Sequence, residues 1–338
     1  MRVLVTGASG FAGSMLIPRL ASAGHEVRAL GRDPARVREA LAGPRNRRAA
    51  DAHAALADAH AARDVQIVRA DVLAGSGLDG ALQDVEVAYY LIHSMERSSA
   101  GWGPFAERER LAAKNFGAAA GRAGVRRIVY LGGLLPRKPS RSAGTPPRDS
   151  LSAHLASREG VERILRASVP EPVSLRASIV IGARSRSFRL LVHLVERMPV
   201  LALPAWRQFR TQPIDARDIT EMLAVSATAP VAGAVLDAGG TEVLSYGEMV
   251  SRIAELMLVR RPALGLRVSL TPLTARVAAA IAGEEPELVL PLMGSLSGDL
   301  LVSGDDAAVR LEVPLHSFDA AVEHALGEWE RFEPLAAR

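Results

Sequence analysis

The 338-residue chain contains no cysteine. Disulfides, thiolate nucleophiles and cysteine-ligated metals are therefore excluded. Aromatic residues make up only 4% of the chain, which leaves few rings for stacking nucleobases. Lysine is almost missing, with Lys114 and Lys138 the only two. Arginine carries the basic charge, yet the formal net charge is only +4 because Asp and Glu are interspersed with it. Two local arginine clusters, Arg45/Arg47/Arg48 and the run RKPSRSAGTPPR at 137–148, lie in loop-like surroundings and read as solvated surface. Nucleic acid is not an expected partner. No apolar run reaches the roughly 18 residues of a membrane span. The chain opens directly into the strand-like MRVLVTG, which leaves no room for a secretory signal. A cytoplasmic protein is the expectation.

What remains is an ordinary soluble composition, 49% hydrophobic and 23% charged. The length suits a large domain carrying a smaller lobe. Strand-like runs recur at Val3–Thr6, His25–Leu30, Val65–Ala70, Val85–Ile92, Arg127–Leu131, Val173–Ile181 and Ala234–Ala238, with helix-like segments between the earlier ones. This alternation predicts an α/β fold, a doubly wound parallel sheet with both faces covered. Helices are expected over Ser14–Ala23, kinked or missing a backbone bond at Pro18, and over Pro104–Ala123, closed by Gly124. The segment 42–64 reads as an insert whose order the sequence leaves open. Its His53 and His60, seven apart, suit a helix surface better than a metal site, so no metal is expected. Residues 1–185 form the expected nucleotide-binding domain. Residues 186–338 form mainly a substrate-side lobe, and the strand near 234–238 returns to the sheet.

The stretch Thr6-Gly7-Ala8-Ser9-Gly10-Phe11-Ala12-Gly13 ends the first strand and opens a helix. Its G-x-x-G-x-x-G spacing supplies a tight turn, a close backbone approach to a pyrophosphate, and close helix–sheet packing. The helix N-terminus adds the positive end of its dipole. Thr6, Gly7, Ser9, Gly10, Phe11, Ala12 and Gly13 are thus the expected cofactor loop. The second strand runs into GRDP, with Arg32 ahead of Asp33. An arginine there pairs with a 2′-phosphate that a carboxylate would repel, so NADP(H) is preferred, with NAD(H) still open. Asp71 and Val72, after the third strand, are placed to touch an adenine ring, although a turn aspartate reads nearly as well.

These pieces, with RRIVYLGG, LRASIVIG, RTQPIDARDI and GGTEVLSYGEM in order across residues 1–250, resemble the short-chain dehydrogenase/reductase superfamily. The combination of YYLIHSM, YLGGLLP and SAHLASREGVERILR is similar to its atypical, epimerase-like NAD(P)H-binding branch. The resemblance implies a Rossmann domain with a small C-terminal substrate lobe and supplies no substrate. Standard members use a tyrosine, a lysine four residues on, and a serine. None of Tyr89, Tyr90, Tyr130 and Tyr246 is followed by such a lysine, and the strand that would deliver the serine ends in Leu131-Gly132-Gly133.

The segment matching the tyrosine and lysine offers His154 and Arg158. Histidine titrates near neutrality and suits acid/base work; arginine binds hydroxyls or an oxyanion without relaying protons. Both also read as helix-surface residues of a site that has lost the standard chemistry. His93 and Ser94, after the fourth strand, are further candidates beside a nicotinamide, His93 for catalysis as well. Gly132 is counted among the cofactor contacts, and Ser157 is near enough to join them. For a substrate pocket the candidates are Ser178, Trp206, Arg210 and Gln212, with packing of one lobe on the other as the alternative. Asp215 and Asp218 resemble structural aspartates. The functional expectation is an NADP(H)-dependent reductase acting on a small carbonyl, enone, imine or quinone-like substrate. The alternative is a non-catalytic NADP(H)-binding sensor or scaffold acting through a protein partner. Homo-oligomerisation stays open.

Overall fold

The computed structural model describes residues 1–42, 65–92, 105–136, 153–265 and 298–331. The segment 43–64, with His53 and His60, and the second arginine run lie outside the described residues, as do His93 and Ser94. The strands β1 (Arg2–Val5), β2 (Glu26–Gly31), β3 (Gln66–Arg69), β4 (Val87–Tyr90), β5 (Arg127–Gly133) and β6 (Val173–Ala177) join a late strand, Val235–Ala238, in one seven-stranded sheet. Its order is β3-β2-β1-β4-β5-β6 and then the late strand. Every pairing in it is parallel. The order reverses between β1 and β4, the switch point where doubly wound sheets bind ligands.

Strand burial shows why the runs were continuous rather than alternating. Val3, Val5, Tyr89, Val129 and Leu131 face a core built with α1 (Phe11–Ser22). Leu4, Ala88, Tyr90, Ile128 and Tyr130 face the other side, covered by α2 (Phe105–Arg122) and α3 (Ala153–Arg166). A sheet apolar on both faces needs helices on both. The helix α4 (Ala216–Val225) belongs to the α1 side, through Ile219, Met222 and Leu223. A third core lies off the sheet, where the helices Arg186–Arg197, Tyr246–Leu256 and Phe318–Trp329 bring together Phe188, Val192, Met249, Ile253, Val322 and Trp329.

Local signals account for most boundaries. Gly124 adopts φ +71 just past α2, the left-handed stop expected of a C-terminal glycine. The helix α1 runs through Pro18 and starts three residues earlier than Ser14. The run VSLRASIVI divides: Val173–Ala177 stays in the sheet, whereas Val180–Ile181 leaves it and pairs with Ile214–Asp215. Ser178 and Ile179 are the point of departure. Among the described residues, no helix is long and apolar enough to cross a membrane.

Arg127 ties the sheet to the α4 side. Its guanidinium is buried and donates to the carbonyls of Ser226 and Ala229, each at 2.8 Å, with Glu171 at 2.7 Å. Arg127→Met fills the volume but takes the guanidinium donor from the Ser226 carbonyl and one of two donors from the Ala229 carbonyl, which keeps the Val231 amide at 2.8 Å. The expected loss is about 2–3 kcal/mol, read as a lower denaturation midpoint at unchanged slope; a midpoint equal to wild type would contradict this role.

Candidate site at the ends of the parallel strands

The glycine loop is built from contacts that leave no room for side chains. Thr6 is fully buried, and its hydroxyl donates to the Tyr89 carbonyl at 3.0 Å while accepting from the Leu91 amide at 3.1 Å. It clips the end of β1 to the end of β4. Gly7 follows with φ +65, and a Cβ there would lie 2.9 Å from the Leu91 carbonyl oxygen. At Gly13 a Cβ would lie 2.4 Å from the Gly7 oxygen, so α1 approaches the loop as closely as a backbone allows. Gly10 is exposed at the crest and precedes the helix as its N-cap, with no side-chain cap and no acid in the first turn. The helix start is therefore open to an anion. Ser9 and Ala12 are half-buried beside it, and the Phe11 ring packs against Gly182, whose Cβ would meet Phe11 at 2.7 Å.

The end of β2 separates its two charged residues. The Asp33 carboxylate accepts from the amides of Ala35 and Arg36, at 2.8 and 3.4 Å, and so caps the helix Pro34–Ala42. Arg32 is exposed and makes no hydrogen bond or ion pair among the described residues. After β3, Asp71 closes an Asx turn onto Leu73 and Ala74, and Val72 packs into the core. Asn115 of α2 holds the same turn through the carbonyls of Val72 and Leu73.

On the other side of the strand ends, α3 packs its Leu155 against Leu134 beyond β5. His154 lies in its first turn, and Arg158, one turn on, is buried. Ser157 donates to the buried Glu109 of α2 at 2.6 Å. The Tyr130 hydroxyl donates to the Arg158 carbonyl at 3.3 Å. Gly132 makes room for that ring, since a Cβ would lie 2.9 Å from Tyr130. Glu109 was missed in the sequence, although it left a signal: it precedes Ala112, Ala113 and Phe116 on the buried stripe of α2, a carboxylate among apolar positions.

Three of the four substrate-pocket candidates gather around Thr211: Ser178 bonds its hydroxyl, and Arg210 and Gln212 flank it in the chain. Ser178 is half-buried where the chain leaves the sheet, its hydroxyl 2.8 Å from that of Thr211. Trp206 is core, edge-on to Tyr246 at 6.1 Å. Arg210 is gripped by Asp299 at 2.7 and 3.0 Å, and Gln212 accepts from the Val302 amide at 2.8 Å. These last two fasten the returning chain rather than pairing with Trp206. Asp215 caps α4 and binds Arg217, while Asp218 accepts from His316. Among the described residues, no group of His, Asp and Glu could hold a metal.

The profile of the NmrA-like family matches residues 1–248. The chain belongs to the NmrA-like family. With that membership the atypical short-chain dehydrogenase/reductase assignment stands, and with it the Rossmann fold. Among solved structures, this NmrA-like chain is similar to gox2253, at 21% identity over 97% of both chains with a TM-score of 0.68. It is also similar to the UDP-glucuronic acid 4-epimerase from Bacillus cereus in complex with UDP-glucuronic acid and NAD, at 18% identity over 98% of this chain and 100% of that one, TM-score 0.67. TunA, an NAD-dependent NDP-hexosamine 5,6-dehydratase involved in tunicamycin biosynthesis, aligns at 18% identity over 98% and 99%, TM-score 0.64. Likeness at these identities speaks for the fold alone. No curated protein matches the chain.

In this NmrA-like protein all four tyrosines are core residues. Burial pushes the hydroxyls of Tyr130 and Tyr246 up to about 12, and those of Tyr89 and Tyr90 upward as well. An unfolded tyrosine ionises near pH 10 (about the model-peptide value). Above that the unfolded chain releases protons that the native chain keeps, so stability present at neutral pH falls as pH rises toward 12. Phenolate absorbance should accordingly appear only with unfolding. A tyrosine titrating near pH 10 in still-folded protein would contradict this burial.

Proposed function

We propose that the chain is an NADP(H)-dependent oxidoreductase that reduces a small carbonyl, enone, imine or quinone-like substrate. The observation that carries this reading is the uncapped start of α1 behind the glycine loop, with Arg32 unpaired among the described residues and Asp33 occupied as a helix cap. A pyrophosphate fits the first feature. A ribose 2′-phosphate fits the second, because the neighbouring carboxylate is turned into backbone hydrogen bonds and the guanidinium is left facing solvent. Ser9, Gly10, Phe11 and Ala12 would hold the phosphates, Arg32 the 2′-phosphate, and Asp71 and Val72 would border the adenine.

When bound, a reduced nicotinamide supplies the hydride. The chain's own task is to orient it and to manage the proton that the substrate heteroatom takes up. His154, in the first turn of α3, is the candidate donor, and Arg158 the cation for ribose hydroxyls or a developing oxyanion. His93 and Ser94, just past Leu91 in the sequence, stay candidates in this reading. On the substrate side, half-buried Ser178 would present its hydroxyl near the end of β6, held by the fully buried Thr211; Trp206, Arg210 and Gln212 would shape that wall from behind. Small molecules are the partners in this reading, and the cytoplasm its setting.

One observation favours a second reading. With every tyrosine buried, no phenol stands free to protonate a substrate. A non-catalytic NADP(H) sensor or scaffold acting on a protein partner needs no such group. A quinone-like acceptor, which demands little proton assistance, reconciles the same observation with turnover.

Arg32→Ala tests the cofactor assignment. The expected result is NADPH binding weakened by about tenfold or more, the worth of a charge-assisted pair, with NADH binding unchanged. Equal loss for both nucleotides, or none, would contradict the role given to Arg32. NADPH oxidation across a panel of carbonyls, enones, imines and quinones tests turnover. Tight binding with no acceptor consumed would favour the sensor.

A further inference from the structure

Burying a carboxylate on an otherwise apolar helix stripe is costly unless it answers another polar group. Glu109 sits at 4% exposure where alanine or leucine would pack at no such cost. The group that answers it is Ser157, at 2.6 Å, the residue immediately before Arg158. Arg158 itself, at 7% exposure, is fixed from the opposite side by the Tyr130 hydroxyl on its carbonyl. The same turn of α3 is thus tied to α2 through Ser157 and to β5 through Tyr130.

The compartment these groups share lies at the strand ends. Tyr130 pairs in register with Tyr90, the last residue of β4, and their rings stand 6.3 Å apart. Burial and then the Glu109 carboxylate push the Tyr90 hydroxyl upward, while the Arg158 guanidinium opposes the shift, so both charges act on one ring. The next residue, Leu91, is the one that receives Gly7 and Thr6. The Arg158 turn is thereby joined, through Tyr130 and β4, to the strand end that meets the glycine loop.

We propose that Glu109 is a positioning residue, acting through Ser157 to hold the Arg158 turn of α3 as the fixed cationic side of the nicotinamide-ribose subsite. This rests on the nicotinamide-nucleotide reading above. Arg158 would meet the vicinal hydroxyls, for which a guanidinium offers several donors in a rigid plane. Glu109 supplies both the acceptor that locks the turn and the negative charge that makes a buried guanidinium tolerable there.

The test measures NADPH affinity of the full chain by fluorescence titration, with circular dichroism and thermal unfolding recorded alongside. Glu109→Gln keeps an acceptor for Ser157 but loses the charge; Ser157→Ala keeps the charge but loses the bond. Each should weaken NADPH binding, by about tenfold and about threefold respectively, in the range of measured coupling between neighbours. In an Arg158→Met background both effects should vanish, which a merely structural role would not produce. Folded Glu109→Gln and Ser157→Ala proteins that bind NADPH like wild type would overturn the proposal, as would losses that persist unchanged beside Arg158→Met. Should Glu109→Gln fail to fold, Ser157→Ala and Glu109→Asp decide the question in the same way. Wild-type protein that binds neither NADPH nor NADH would bring down the nucleotide reading and this inference with it, a result distinct from binding that ignores Glu109.

Discussion

The approach of α1 to the Gly7 carbonyl is the contact on which the rest of the site depends. A single methyl at Gly13 would intrude to 2.4 Å of that oxygen, and neither the strand nor the helix can yield without losing its own packing. The closeness aims the open helix start at the strand ends. The Thr6 clip then sets the height of β4 against β1. From there β4 and β5 fix where Tyr90 and Tyr130 lie, and Tyr130 in turn fixes the first turns of α3. The glycine loop and the Arg158 turn are linked by one continuous run of contacts through the Thr6 and Tyr130 hydroxyls.

The charged groups around this frame fall into two kinds. Asp33, Asp71 and Arg210 look functional in a line of letters, yet each is consumed by local capping, a turn or a fastening contact. Arg32 faces solvent with no such contact among the described residues, whereas Glu109, buried on an apolar stripe, spends its carboxylate on the Ser157 hydroxyl and so stands as a positioning group. A carboxylate that caps a helix already has its hydrogen bonds and offers less to a ligand. This sorting, rather than the presence of charge, separates candidates for ligand contact from scaffolding.

Much of this was legible in the sequence. The glycine loop and the parallel strands are written locally, in spacing and in unbroken apolar runs, and local patterns survive folding. The division of VSLRASIVI was not legible, because an apolar run carries no mark where its hydrogen-bonding partner changes from the sheet to Ile214–Asp215. The engagement of Arg210 was hidden for another reason: its partner Asp299 lies 89 residues away. Trp206 and Arg210, four apart in sequence, are turned to different partners by a short 3₁₀ turn and a strand. Glu109 stood in plain view on its helix stripe, and its meaning required knowing that α2 and α3 lie side by side.

The most direct test of the central claim is a paired calorimetric titration of the purified chain with NADPH and NADP⁺. The account predicts one site per chain and comparable affinity for the two forms, as a protein that turns over must release its product. Binding of only one redox form would contradict turnover and point to sensing. Binding of neither would contradict the account at its root, leaving the glycine loop as a tight turn and nothing more.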